Sequence, residues 1–589
     1  MKRALVLVLA LAFLYSCTND TIQGDAGEKR VAKGNRVYGG TLRVNETEMY
    51  QTLYPYRITD AVSAFVALQI YEGLVKFDTR DLSIKPCLAE KWEVDAAGMT
   101  YTFHLRKGIK FQDNPCFPGG KGREVKASDV KYSFEMLCTD NPDNFNFSAT
   151  FKDRVLGANQ YFEQSKSGKP GDLEGVKVID DYTIQIKLYA PTTSFIFVLA
   201  NPAAAIIAKE AVDQYGNKMK VGTGPFMFAD NENVKDRLVL KRNPSYYGMD
   251  SLGNQLPYLD SVLITFKHTK KEELEDFQAG KTDMVIGLPA ESIKEVVESQ
   301  ISNFESKPPK FVLERTPEMT TQYYEFNIKR APFDNVKVRK AFSYAIDRNR
   351  IIDEILKGEA YGPGVNGISP PSFKGYDITK IKGYDYDPEM AKKLLAEAGY
   401  PNGKGFPTVK LELNSGGARN SNVAFEIQKQ LMDVLGVNID LEVVPLSQKL
   451  DDATFGRAEI FRSAWIADYP SPENFLWTLY GGSVPDAPEK PSYPNTPRYK
   501  NPEYDKLFEE GKSAKTKETA YEQFLKAEQI MMDDAPIMVL WYDENYRLVQ
   551  SRVKNFFLNP MRIRDLSEVY LQEPVAKKED TEKKEQPGK

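Results

Sequence analysis

Two stretches, DPEMAKKLLAEAGY (387–400) and NVAFEIQKQLMDVLGVNIDLEVV (422–444), decide the fold class. In the first, Asp387 is placed to cap a helix, Pro388 suits its first position and Gly399 suits its end. In the second, a helix from about Asn422 to Leu435 stops at Gly436, and Val437 to Val444 reads as a strand. Helices alternating with strands in this way belong to an α/β protein. The same alternation extends outward. Tyr101, Phe103 and Leu105 fall on one side of a period-two run, with Thr102 and His104 on the other, and Ile184, Ile186 and Leu188 repeat it before Pro191. A last large helix is expected over about Lys517 to Asp533, followed by an apolar strand, Ile537 to Trp541. No repeat of solenoid period interrupts the series.

A chain of 589 residues has length for more than one lobe and for large buried cores. Charged residues make up 27% and hydrophobic ones 41%, the balance of a water-soluble globular protein. The formal charge is −5, which argues against nucleic-acid binding by bulk electrostatics. Two histidines and four cysteines leave little material for metal chemistry or histidine catalysis, whereas 32 Tyr and 32 Phe suit a protein that buries or contacts much amphipathic surface. No HExxH, CxxC or GxSxG occurs. His104 sits inside an alternating strand and His268 in a Lys-rich junction. Gly222-Thr223-Gly224-Pro225 lacks the Lys-Ser/Thr and helix of a phosphate loop and reads as a tight turn. No carboxylate pair is singled out for glycoside chemistry. Composition favours binding over catalysis, and no cofactor or metal is expected.

Residues 1–16 read as an export signal: Lys2 and Arg3 precede an apolar run, Ala4 to Leu14, too short for a stable membrane span. The run ends in Leu14-Tyr15-Ser16-Cys17, which resembles a lipobox with Cys17 as the lipidated residue. The alternative is an ordinary signal peptide with an incidental thiol. Residues 17–35 are polar, as a tether from lipid to domain would be. At the other end, 574–589 is mostly Lys, Glu, Asp, Gln, Pro and Gly, a tail that cannot bury a core. The mature protein is expected outside the cytoplasm, tied to a bacterial membrane. There, Cys116 and Cys138, which flank an expected loop and helix, are a candidate disulfide, with three buried free thiols, Cys87 included, as the alternative.

A series of segments in fixed order resembles the family 5 extracellular solute-binding proteins, the receptors of oligopeptide and dipeptide ABC importers. They are IYEGLVKFD (70–78), LAEKWEV (88–94), YTFHLRKGIKF (101–111), SDVKYSF (128–134), VKVIDDYTIQIKL (176–188), VGTGPFMF (221–228), YYEFNIKRAPFDNVKVRKAFSYAIDR (323–348), AKKLLAEAGY (391–400) and AWIADYPSPENF (464–475). The likeness runs from about residue 38 to 570 with spacing kept. It implies a type II periplasmic-binding-protein fold, two lobes joined by a hinge plus an extra subdomain. Lobe one is then 36–265, with 53–190 as the subdomain, lobe two is 266–525, and 526–570 returns to lobe one. The implied function is binding of short peptides between the lobes, by a monomer, for delivery to permease and ATPase subunits on separate chains. Receptors of this kind also take haem, metal chelates or oligosaccharides, and a surface lipoprotein that senses peptides without transport shares the fold.

The resemblance also assigns residues. The aspartate of an Ala-Asp-Tyr triplet holds the peptide α-amino group in relatives, and Ala467-Asp468-Tyr469 matches it. The competing role, a helix cap, suits Ser471-Pro472 better. Arg462 occupies the place of an arginine near the peptide C-terminus, and its planar fork suits a carboxylate. Pairing with Asp468 or a surface acid is its alternative. Trp465 is a core residue or a cleft wall. Ala61 aligns with a segment whose backbone meets the peptide, and Asn327, with Tyr323 and Tyr324, is mostly packing with an occasional cleft contact.

Overall fold

A computed structural model describes residues 30–46, 49–168, 170–229, 236–267, 269–287, 301–414 and 418–573. The signal peptide, Cys17, the start of the tether, His268 and the 574–589 tail lie outside them. Among the described residues no helix is long and apolar enough to cross a membrane.

The period-two runs build the extra subdomain. Ala89–Val94, Thr100–Leu105, Thr183–Lys187 and Val176–Asp180 form an antiparallel sheet in that order. Tyr101, Phe103, Leu105, Ile184, Ile186 and Leu188 are all buried, while Thr102 and His104 stay half-exposed on the other face. The helix Ala127–Leu137 packs beside this sheet. Lobe one has its own sheet, ordered Thr41–Glu46, Ser261–Phe266, Arg237–Arg242, Phe226–Phe228, with the first pair parallel. The helix Ala61–Ile70 packs on Phe226–Phe228, and one hydrophobic core runs unbroken through subdomain and lobe one. The turn at Gly222 presses against Ile70, where a Cβ would lie 2.1 Å from the carbonyl oxygen, so only glycine fits.

In lobe two the expected α/β units form. Asp387 accepts a hydrogen bond from Met390 N at 2.9 Å, Pro388 opens the helix Pro388–Glu397, and Gly399 takes the left-handed conformation just beyond it. The second helix, Ala418–Leu435, starts four residues earlier than expected and stops at Gly436. It connects Val409–Asn414 to the parallel strand Ile439–Val444, and Ile460–Ile466 joins the other edge of Val409–Asn414.

Two long strands, Phe311–Phe326 and Ile537–Gln550, tie the lobes together. Their upper halves pair with each other at 311–317 and 544–550, and Met284–Ile286 adds to the second of them. The Asp283 amide in turn donates to Arg43 O at 2.8 Å, which fixes this part to lobe one. Their lower halves, 321–325 and 537–542, belong to the lobe-two sheet with Ile460–Ile466. Each long strand therefore passes from one sheet to the other, near residue 318 in the first and near 543 in the second. Buried Glu528 of the helix Lys517–Asp534 accepts from Ser369 N and Oγ and from Tyr376 OH, which ties the helix to their loop.

The expected disulfide is corrected: Cys87, Cys116 and Cys138 are all free thiols. Cys138 ends the helix Ala127–Leu137 inside the apolar core, where burial pushes its thiol pKa up and leaves it an inert packing group.

Candidate functional site

The strand Ile460–Ile466 carries the site. It lies antiparallel to Thr320–Phe326, with Arg462 opposite Tyr324, Ala464 opposite Gln322 and Ile466 opposite Thr320. Beyond Ile466 the chain turns through Ala467-Asp468-Tyr469 into the short helix Pro472–Leu476. Ser471 caps that helix by accepting from Glu473 N at 3.3 Å, with Pro472 at its first position. Asp468 is thus free of capping duty, as the sequence implied.

Asn474, almost fully buried, ties this turn together. Its Oδ1 accepts from Trp465 Nε1 at 2.8 Å and from Asp468 N at 2.9 Å, and its Nδ2 donates to Asp468 Oδ2 at 3.0 Å. The Asp468 carboxylate is reached by solvent, yet desolvation pushes its pKa above the usual carboxylate range against the opposing pull of Asn474 and Arg154. No cation is in ion-pair contact with Asp468 among the described residues, although Arg154 of the subdomain is near enough to influence it. Exposed Ile466 and Tyr493 stand nearby, and Tyr493 also feels the Asp468 charge. An oriented, partly desolvated carboxylate lacking a cation is a receptor for a cationic group.

Among the described residues Arg462 pairs neither with Asp468 nor with a surface acid. Its Nη2 donates to Gln322 Oε1 at 2.6 Å and its Nη1 to Asn414 Oδ1 at 3.4 Å. Burial holds its guanidinium below its ordinary pKa, and a desolvated cation whose hydrogen-bond partners among the described residues are neutral suits an anionic ligand group. Trp465 is half-buried, edge-on to Trp477 with ring centroids 6.2 Å apart, so it packs the wall. Ala467 N donates to Met319 O at 2.9 Å, which fastens the turn to the first crossing strand.

Two expectations fall elsewhere. Asn327 is buried and spends its amide on the chain: Nδ2 donates to Gly456 O at 3.1 Å and Ala458 O at 3.4 Å, and Oδ1 accepts from Lys329 N at 3.2 Å. It is a loop clasp rather than a cleft contact. Ala61 is exposed at the first position of a helix capped by Asp60, so any main-chain contact there would come from a helix end rather than an extended edge. Tyr323 and Tyr324 are core residues. Sequence reading missed Asn474, Gln322 and Tyr493, although Asn474 stands six residues from Asp468, within reach of a helix that folds back on its own lead-in.

Residues 193–197 meet the segment that follows Asp468. The Phe197 ring stacks between Phe77 and Tyr469, 6.1 Å from each and tilted by 8° from both. Ser194 Oγ donates to Glu473 Oε1 at 3.4 Å, and Thr193 N to Lys512 O at 3.4 Å. No group of three or more His, Cys, Asp and Glu able to hold a metal occurs among the described residues, and His104 lies on the subdomain sheet, 3.7 Å from Glu93 Oε1.

The profile of the bacterial extracellular solute-binding proteins, family 5, matches residues 83–486, more than half of the chain. The chain belongs to this family. Its fold is that of the type II periplasmic binding proteins. Heme-binding protein A of Haemophilus influenzae is 28% identical to this family 5 protein over 582 residues, 95% of this chain and 97% of that one. The periplasmic oligopeptide-binding protein OppA of Salmonella typhimurium is 29% identical over 532 residues, 88% of this chain and 89% of its own. Among solved structures, the periplasmic binding protein DppA of Helicobacter pylori in complex with the peptide STSA matches with a TM-score of 0.68 and 26% identity, covering 91% of this chain and 99% of that one. HbpA2 of Haemophilus parasuis matches with a TM-score of 0.75 at 24% identity, over 90% and 100% of the two chains, and shows the fold. Family 5 members are extracytoplasmic binding proteins.

Proposed function

We propose that the protein is a lipid-anchored extracytoplasmic receptor that binds short peptides between its lobes and hands them to an ABC importer. The observation that carries this reading is Asp468, a solvent-reached carboxylate oriented by Asn474, its pKa raised by its surroundings, with no cation in ion-pair contact among the described residues, a fitting partner for a peptide's leading ammonium. Arg462, on the strand that leads into this turn, is its counterpart for an anionic end. Four strand steps from Arg462 to Ile466 span about 13 Å at ~3.3 Å per residue. An extended peptide of about three to five residues covers about 10–17 Å on the same scale. Peptide-binding relatives of similar length support the ligand class. The protein acts by binding, not catalysis, and takes up its ligand as a monomer.

Native mass spectrometry of the lipid-free protein is expected to find heterogeneous short peptides. Haem in their place would move the ligand to that of the Haemophilus influenzae relative. In calorimetric titration Asp468→Ala should weaken a free-amine peptide about 10- to 100-fold, the worth of a charge-assisted hydrogen bond. Asp451→Ala, which removes an exposed partner of Arg457, should change little. Equal losses, or equal affinity for acetylated and free-amine peptides, would remove Asp468 from its role. Labelled palmitate should enter the protein in cells and fail to enter Cys17→Ser.

A further inference from the structure

Asp543 stands at the wider of two places where the crossing strands lose step. Pro317 faces Glu544 and Thr321 faces Tyr542, so Asp543 alone is set against residues 318–320. Its side chain is largely buried, and both oxygens are engaged. Oδ1 accepts from Trp541 Nε1 at 2.8 Å and lies 3.4 Å from Arg419 Nη2, while Oδ2 accepts from Gln322 Nε2 at 2.7 Å.

An ionised carboxylate only accepts hydrogen bonds, so Gln322 must turn its NH2 toward Asp543 and its carbonyl the other way. That carbonyl receives Arg462 Nη2. Gln322 is itself 8% exposed and has little freedom to choose another pose. The amide spacer orients the guanidinium without neutralising it, whereas a carboxylate in contact would spend the charge that a ligand needs.

We propose that Asp543 and Gln322 are positioning residues that aim the Arg462 guanidinium at an anionic group of the ligand from the strand crossing between the lobes. The anionic group is the terminal carboxylate if the peptide reading above holds, and the inference rests on that reading. Because the relay is anchored where the second strand passes from one sheet to the other, orientation of Arg462 is tied to the geometry of the hinge strand.

The test is Asp543→Asn, which keeps shape and reverses one bond. Trp541 Nε1 needs an acceptor on one side and Gln322 Nε2 an acceptor on the other, and an amide offers only one. Either Trp541 or Gln322 then faces a donor, and if Gln322 flips, its NH2 confronts Arg462. Trialanine, its C-terminal amide and its N-acetyl derivative are titrated by calorimetry against wild type, Asp543→Asn, and Gln322→Met as a second variant that removes the relay without placing a donor. Both variants are expected to lose about five- to tenfold of the preference for trialanine over its amide, with the preference over the acetylated form unchanged. A merely structural role would lower all three affinities together and would overturn the inference. An unchanged acid-to-amide ratio in either folded variant would also overturn it while leaving the peptide reading intact. Wild type indifferent to amidation would remove the relay's assigned ligand group, and the acetylation ratio would then judge the peptide reading separately.

Discussion

At the scale of single residues, the lobe-two sheet holds a carboxyl whose titration should be visible in stability. Glu412, 2% exposed on Val409–Asn414, has its pKa pushed up to about 7 by burial first and then by Asp452 and Glu442, and its Oε1 has no hydrogen-bond partner among the described residues. The folded protein therefore holds this proton more tightly than the unfolded chain, whose glutamate titrates near 4.3. Below that value the group costs nothing. As pH rises from about 4.3 through about 7 the folded state loses its relative advantage, and stability falls. Glu412→Gln should relieve about 1–3 kcal/mol at pH 8 and almost none at pH 4, read as urea midpoints of the two proteins at each pH. A variant no more stable than wild type at pH 8 would show that Glu412 is ionised without penalty. Nothing in the sequence marks Glu412, because its proton affinity comes from the strand and helix neighbours that folding brings to it. That Asp468 does not cap the helix, by contrast, was legible through the better cap beside it.

At the scale of elements, the turn after Ile460–Ile466 depends on one amide. Asn474 satisfies the Trp465 indole and the Asp468 main chain while fixing the Asp468 carboxylate, all from a helix of five residues that could not hold itself in water. Asn474→Ala is expected to cost about 2 kcal/mol of stability through unpaired buried donors and to weaken peptide binding although it touches no ligand. Chemical denaturation and calorimetry on one preparation check both. Asn327→Ala should cost a similar amount of stability by unclasping the Gly456–Ala458 loop, and should leave affinity alone. If both variants lost affinity equally, the distinction between site and scaffold would fail. Helices and strands themselves were readable because caps and periods are local: Asp387, Pro388 and Gly436 set their ends by side chain and backbone alone. What Asn474 and Asn327 bind was not readable, since an asparagine near a turn looks the same whether its partners lie in a cleft or in a loop.

At the scale of the molecule, two strands cross between lobes that must move relative to one another, and a ligand favours the closed form only by contacts it makes there. Where each strand passes from one sheet to the other was not readable, because a long buried strand reads identically whichever sheet each half joins. Closure also has contacts of its own. Phe197 of lobe one, stacked between Phe77 and lobe-two Tyr469, bridges the lobes one residue from Asp468. An aromatic pair is worth about 0.5–1.5 kcal/mol, so Phe197→Ala should shift the ligand-free balance toward the open form by roughly three- to tenfold. Small-angle scattering should then give a larger radius of gyration than wild type without peptide and the same value with saturating peptide. Affinity should fall by the same factor, since the ligand must now do the closing. Equal radii and equal affinities would mean that the stacked rings pack the lobes without holding them shut, and that closure rests on the ligand and the crossing strands alone.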